Sequence, residues 1–214
     1  MPRYTRFVAP TLRYERQLLR RGYERAAGVD EVGRGSLAGP VVAASVILPV
    51  RSPSRLRSLA ELDDSKSLTA VQRESLFPRI VQAAESIGIG WASHYVIDRD
   101  GIAAANRRAL LRAVSNCPGR PDVLLLDHFA LPESDLPQMP LTHGDSLSLS
   151  IAAASVVAKV VRDRWMTRWD RYFPGYGFAA HKGYGTASHR DALIRMGPCR
   201  LHRRSFRPVA SSGR

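Results

Sequence analysis

Four carboxylates in this chain of 214 residues stand where acidic side chains are costly unless they do something. Asp30 and Glu31 close an apolar run that begins at Ala26, Asp127 closes the apolar run 122–126, and Asp145 heads a long Ala- and Val-rich stretch. Ligand sites in open α/β sheets form at strand ends, so carboxylates placed this way can converge. Brought together they repel, and they stay ionised together only when cations neutralise them. An all-oxygen donor set without Cys or His ligands suits magnesium or manganese. Each residue also has an ordinary reading: Asp145 as the N-cap of the helix that follows, and Asp127 as a strand-end turn residue. Asp30 and Glu31 carry a geometric requirement as well. Successive strand residues point to opposite faces, so the pair can share a site only if the strand ends or bulges between them. Gly33 and Gly35, just beyond, allow such a bulge.

The glycines test a second chemistry. The segment 28–35, Gly-Val-Asp-Glu-Val-Gly-Arg-Gly, lacks the Lys-Ser/Thr of a phosphate loop and the third glycine of a dinucleotide fingerprint, so a nucleotide-cofactor reading fails. Glycines beside carboxylates instead let a backbone approach a sugar closely. The two cysteines, Cys117 and Cys199, have no metal-ligand spacing. Neither a zinc site nor a disulfide framework is expected, which fits a reducing cytoplasm. The N-terminus has no apolar core of a secretion signal, and no stretch approaches the ~18 apolar residues of a membrane span.

The net charge of +13 points to a polyanionic partner, nucleic acid before membrane. It is unevenly placed. Residues 1–27 hold seven Arg and two Glu, residues 159–214 hold 13 basic and three acidic residues, and residues 28–158 hold 12 basic against 14 acidic. A slightly negative body between two basic ends suits an enzyme that sets divalent metals against a phosphodiester better than a simple phosphate binder. Only three of the 32 basic residues are lysines, namely Lys66, Lys159 and Lys182. Arg and Lys differ in geometry and hydration, so the surviving lysines mark places where a compact ammonium matters.

The elements that must position these residues follow from periodicity and punctuation. A short amphipathic helix is expected over 11–25, and strands over 26–32, 41–48, 87–96 and 122–126. Helices are expected over 70–85, capped by Thr69, then 98–115, 147–171 and near 187–196. Residues 49–58, 62–68 and 132–140 read as loops. Strands alternating with helices, then helices alone, give an α/β core with a helical C-terminal extension. The early antiparallel pair makes the sheet mixed. The helix carrying 151–158 is apolar nearly all round and should be buried across a sheet face.

The ordered set of motifs resembles ribonuclease HII, the bacterial type 2 ribonuclease H. It comprises the 28–35 segment with Leu37-Ala-Gly-Pro40, Asp64-Ser-Lys66, Asp127, Gly144-Asp145, Ile151-Ala-Ala-Ala-Ser155 with Ala158-Lys-Val160, Tyr176-Gly-Phe178, His181-Lys-Gly-Tyr184, Gly197-Pro198 and His202-Arg-Arg-Ser-Phe206. The match covers about residues 26–206, and all three lysines fall inside it. The resemblance implies a ribonuclease H-like fold: a five-stranded mixed sheet flanked by helices with a helical C-terminal extension. The chain then divides into a helical lead-in (1–25), a catalytic core (26–171) and a basic substrate-binding extension (172–214).

The resemblance further implies a metal-dependent endonuclease that cleaves RNA in RNA–DNA hybrids. It would also incise 5′ of ribonucleotides embedded in duplex DNA and leave 3′-hydroxyl and 5′-phosphate ends. Asp30, Glu31, Asp127 and Asp145 match the family's catalytic, metal-holding carboxylates, which would hold two Mg²⁺ or Mn²⁺ ions about 3.5–4 Å apart. Gly33, Arg34 and Gly35 match the segment that feels the 2′-hydroxyl, and Tyr184 the ring that stacks under the junction sugar. Lys66 and Lys182 match positions near the substrate, where phosphate contact is the physical reading. Lys159 reads as a snorkelling or capped residue of the buried helix, and His181 as a structural histidine rather than a proton shuttle.

Two departures stand out. His128 follows Asp127 where the family usually has glycine, and reads as a tolerated side chain; Leu147 stands where a lysine is frequent. The expected partners are RNA–DNA hybrid and ribonucleotide-containing duplex DNA, with no membrane, for a cytoplasmic monomer. The rival readings are a non-catalytic duplex binder of the same fold, a junction resolvase, and the type III enzyme. The type III enzyme carries an extra N-terminal domain that about 26 residues could not supply.

Overall fold

A computed structural model describes residues 9–63, 65 and 67–211. The expectation for Lys66 therefore lies outside the described residues. The five strands are β1 (Ala26–Val32), β2 (Val41–Ile47), β3 (Ser86–Ala92), β4 (Val123–Asp127) and β5 (Gln138–Leu141), in the order β3-β2-β1-β4-β5. β1 pairs antiparallel with β2 and parallel with β4. β2 pairs antiparallel with β3, and β4 parallel with β5. The central strands read as unbroken apolar runs because helices cover both faces.

On one face α3 (His94–Ser115) packs Ala105, Ala109 and Ala113 against Val29, Val41 and Ala43. On the other, α5 (Leu149–Asp170) packs Ala152, Ala153 and Val156 against Ala44 and Val46. The small residues of α5 let it lie very close to β1. A Cβ at Gly28 would come within 2.1 Å of the Ser150 carbonyl carbon, a backbone atom that cannot yield. This close packing fixes the helix against the strand that carries Asp30 and Glu31.

Several boundaries differ from expectation, each for a local reason. The first helix, α1, is only Arg13–Arg20. β3 stops at Ala92 because Ser93 caps α3, its hydroxyl accepting from the Val96 amide. The 132–140 loop contains the start of the edge strand β5, which tolerates Pro140 because an edge position can do without one donor. The long C-terminal helix is two pieces. A single turn, α4 (Gly144–Leu147), ends at the extended Ser148, whose hydroxyl then caps α5 by accepting from the Ile151 amide. Asp145 is therefore not the N-cap of the long helix.

The segment 53–59, expected as loop, is a 3-10 helix. α2 (Ala70–Ala83) carries the reciprocal Thr69–Gln72 capping box. The C-terminal segment adds α6 (Phe178–His181), α7 (Ala187–Met196) and α8 (Arg207–Ala210). Phe178, Leu193 and Leu201 pack with Met166 of α5 and with Leu37, in the loop after β1. Among the described residues, no helix is long and apolar enough to cross a membrane.

Candidate active site

β1 stays in unbroken register with β2 from Ala27 to Val32, so the expected bulge between Asp30 and Glu31 is absent. The two carboxylates leave the strand on opposite faces. Asp30 shares the parity of Gly28 and faces α5, where Ser155 hydrogen-bonds it; Glu31 faces α3, where Asn106 does the same. They meet around the end of the strand instead. Gly28 pairs with Leu125, and the same register continued by two residues sets Asp127 beside Asp30.

A cleft of about 350 Å³ is lined by Asp30, Glu31, Gly33, Arg34, Asp127, His128, Phe129 and Tyr184. The residues there come from the ends of β1 and β4 and from the C-terminal segment. A second cleft of about 390 Å³, on the α3 side, shares Glu31, Arg34, Asp127 and Phe129 with it.

Backbone amides hold two of the carboxylates. Asp30 Oδ1 accepts from the Glu31 amide at 2.7 Å, and Asp127 Oδ1 accepts from the Gly144 amide at 2.7 Å. The second bond ties α4 to the end of β4; Asp145, the residue after Gly144, is buried and is not among the lining residues. Burial pushes the Asp30 carboxyl well above its ordinary range, and the charges of Glu31 and then Asp127 push it further. Burial also raises Glu31, against the opposing pull of Arg34, whose Nη1 is 3.4 Å from Glu31 Oε1. Among the described residues no three acidic, His or Cys side chains are grouped closely enough to hold a metal ion as they stand. The mutual repulsion on Asp30 is nonetheless the charge imbalance that a cation among hard oxygen donors relieves.

The glycines of the 33–35 segment differ in kind. Gly33 is buried with φ +92°, and a Cβ there would meet Arg162 Nε at 2.2 Å; Gly35 has open space where its Cβ would be. Tyr184 lines the cleft with Lys159 Nζ 5.4 Å and Arg162 Cζ 5.3 Å from its ring centre. Lys159 is also paired with Asp163 at 2.9 Å, so it is engaged on both sides rather than merely snorkelling. Lys182 does not line the cleft. Its ammonium donates to Thr167 Oγ1 at 2.8 Å and to the Ala179 carbonyl, beside a separate basic groove that also takes in Arg168 and Arg171.

His181 is structural, as expected. Its Nδ1 accepts from the Gly183 amide and its Nε2 lies 2.7 Å from the Tyr176 carbonyl. His128 has φ 72°, the left-handed region that favours glycine. The sequence assigns no role to Phe129, 56% exposed at the cleft, or to the fully buried Arg162 and Arg203. Only the interruption of an apolar helix by Arg162, and the basic cluster 203–204, hinted at the last two.

The family model for ribonuclease HII matches residues 27–209. The chain belongs to the ribonuclease HII family. It is 52% identical over 202 residues to ribonuclease HII of Syntrophotalea carbinolica, covering 94% of each chain. It is also 52% identical over 198 residues to that of Geobacillus kaustophilus, covering 92% of this chain and 74% of the relative. Ribonuclease HII enzymes are endonucleases that hydrolyse RNA in RNA–DNA hybrids, and this chain is such a hydrolase.

Solved structures share the fold. Ribonuclease H2 from Pyrococcus horikoshii aligns with a TM-score of 0.75 at 22% identity, over 88% of this chain and 96% of that one. Bst-RNase HIII in complex with Mn²⁺ aligns at 0.69 and 20% identity, over 88% and 68%.

Proposed function

We propose that the chain also incises duplex DNA on the 5′ side of an embedded ribonucleotide, leaving 3′-hydroxyl and 5′-phosphate ends. In this reading Asp30, Glu31, Asp127 and Asp145 hold Mg²⁺ or Mn²⁺, two ions during turnover. The observation that carries it is the single cleft in which three of these carboxylates face Gly33, Arg34 and Tyr184. The Mn²⁺ complex of the type III homologue supports the metal class. Bound divalent cations supply activation of the attacking water and stabilisation of the departing 3′ oxygen.

The remaining chemistry belongs to the chain. Asp30 and Asp127 are fixed on adjacent strand ends by backbone amides, so little reorganisation accompanies substrate arrival. Gly35 has no neighbour that forbids a side chain. Its lack of one therefore fits close approach by a sugar, with the 2′-hydroxyl as the distinguishing atom. The Tyr184 ring, backed by two cations, presents a face on which the sugar at the RNA–DNA junction can rest. Arg34 and Phe129 flank the cleft, with Arg34 Cζ 5.8 Å from the ring centre.

The test is product mapping on an end-labelled DNA duplex carrying one ribonucleotide. A single cut immediately 5′ of the ribonucleotide with a 3′-hydroxyl end is expected. Cleavage confined to runs of ribonucleotides, or on the 3′ side, would contradict the reading.

A further inference from the structure

Arg162 and Arg203 are both fully buried, and among the described residues neither has a carboxylate within ion-pair distance. Buried cations are rare unless paired, and moving them from water is expensive. Backbone carbonyls take the place of a counter-ion. Arg203 donates to the carbonyls of Gly33 at 2.7 Å, Arg34 at 2.8 Å and Gly39 at 3.0 Å. Arg162 donates to those of Pro40 at 2.9 Å, Lys182 at 2.9 Å and Ala38 at 3.1 Å. Five well-directed donors in a rigid fork are what a guanidinium offers and an ammonium does not.

The six acceptors lie on three separate stretches of chain. Residues 33–34 belong to the sugar-facing loop, 38–40 to its return into β2, and 182 to the turn that carries Tyr184. Gly33 has no side chain where Arg162 Nε passes. Burial and the neighbouring Arg162 pull Arg203 down to about 9, so it remains a cation at neutral pH.

We propose that Arg203 and Arg162 are positioning residues for ribose recognition: from beneath the cleft they lock the 33–35 loop to the Tyr184 turn. The proposal rests on the reading of 33–35 as the sugar-sensing loop. A carboxylate partner would hold each guanidinium equally well for stability, but it would not fix the loop carbonyls. Carbonyl-only ligation therefore makes loop geometry depend on the two arginines. A misplacement of about 1 Å far from the chemistry can cost about 100-fold in rate.

The experiment compares Arg203→Lys, Arg203→Met and Arg162→Lys with the parent chain on an RNA–DNA hybrid, with Arg34→Ala as the loop arm. kcat and KM are measured per folded molecule, well below each melting temperature. Hydrogen exchange is followed at the amides of 34–36. Lysine keeps the charge but spans fewer carbonyls, so Arg203→Lys stays readable if Arg203→Met fails to fold. The expected result is a fall in kcat of about 10- to 100-fold with KM little changed, and faster exchange at 34–36 while the strand amides stay protected. A purely structural role would lower the melting temperature and leave kcat per folded molecule unchanged, and that result overturns the proposal. If Arg34→Ala is impaired while the lysine variants are normal, only the positioning role falls. If Arg34→Ala is fully active, the loop reading falls and the proposal with it.

Discussion

His128 shows how a single residue can be legible as an anomaly without its cause. It stands beside a cleft carboxylate, at a position where the resemblance leads one to expect glycine, and its φ of 72° supplies a reason: the turn after β4 is left-handed. Its amide nonetheless bonds the Leu141 carbonyl at 2.9 Å, which holds the turn in place. Replacing it by glycine keeps that bond and removes backbone strain of about 1 kcal/mol. His128→Gly should therefore raise the midpoint of chemical denaturation without loss of the fold, and a lowered midpoint would contradict this account of the turn. The four carboxylates were visible in the sequence because charges at the ends of apolar runs are conspicuous. Arg162 and Arg203 were not, because a buried arginine is spelled like an exposed one. Only their six carbonyl partners, spread over three stretches of chain, distinguish the pair.

At the scale of elements, the junction between α4 and α5 matters most, because it sets Gly144 against Asp127. It is held from a distance. The buried carboxylate of Glu15 on α1 accepts from Ser148 Oγ at 2.6 Å, the Ser150 amide at 2.9 Å and Ser150 Oγ at 2.6 Å. It thereby sits at the positive end of α5. Hydrogen bonds to a charged group contribute about 1.5–3 kcal/mol each, so Glu15→Gln should destabilise the chain by roughly 2 kcal/mol, measured by urea unfolding. A change within error would mean that the lead-in helix does not anchor the junction. The sequence made α5 legible as one buried helix but hid its break. Ser148 carries no signal strong enough to interrupt an apolar pattern until Glu15 and the capping geometry are seen together. β5 was hidden for the opposite reason: its proline, Pro140, argues against a strand everywhere except at an edge.

A second element-level device lies under the Tyr184 turn. The Cys199 amide donates to His202 Nδ1 at 2.9 Å, which places the His202 proton on Nε2. That nitrogen donates to His189 Nε2 at 3.0 Å, and His189 Nδ1 in turn donates to the Tyr184 carbonyl at 2.9 Å. The chain is complete only with both rings neutral. Burial holds His202 down at about 4 and also lowers His189. The unfolded chain binds protons near 6.5, so between about 6.5 and 4 it binds more than the folded one, and acidification favours unfolding. Stability from this pair is full above about pH 7 and declines as pH falls through that window. Urea midpoints at pH 7.5, 6 and 5 should fall in that order. The part of the slope due to His202 should disappear in His202→Gln, and an unchanged slope would contradict the tautomer assignment.

For the whole molecule, the charge of +13 now divides further. Two of the C-terminal arginines, Arg162 and Arg203, are inside and serve the loop, so they cannot grip a phosphate. Exposed Arg168 and Arg171 line a groove that also includes Lys182, continuing from the Tyr184 turn along α5. If duplex phosphates follow that groove, binding falls steeply with salt, and each phosphate left without its cationic partner reduces the logarithmic salt slope by about 1. Arg168→Gln with Arg171→Gln should therefore weaken binding to any duplex sequence and flatten the slope by about 2. An unchanged slope would place the duplex elsewhere. The fold class was legible at this scale because strand and helix alternation survives errors at individual boundaries. The route of the duplex was not, because it depends on which basic residues face outward.

In the proposed reading, the acidic cleft performs the cleavage with divalent metal. Asp30→Asn tests it most directly, since the change removes one charge from a buried, mutually repelling set while keeping its shape. Turnover of an RNA–DNA hybrid and duplex affinity are measured on the same preparation, with Mg²⁺ and with EDTA. The substitution is expected to abolish most turnover, EDTA to do the same to the parent chain, and duplex binding to survive in both. Near-parental cleavage by Asp30→Asn would contradict that reading.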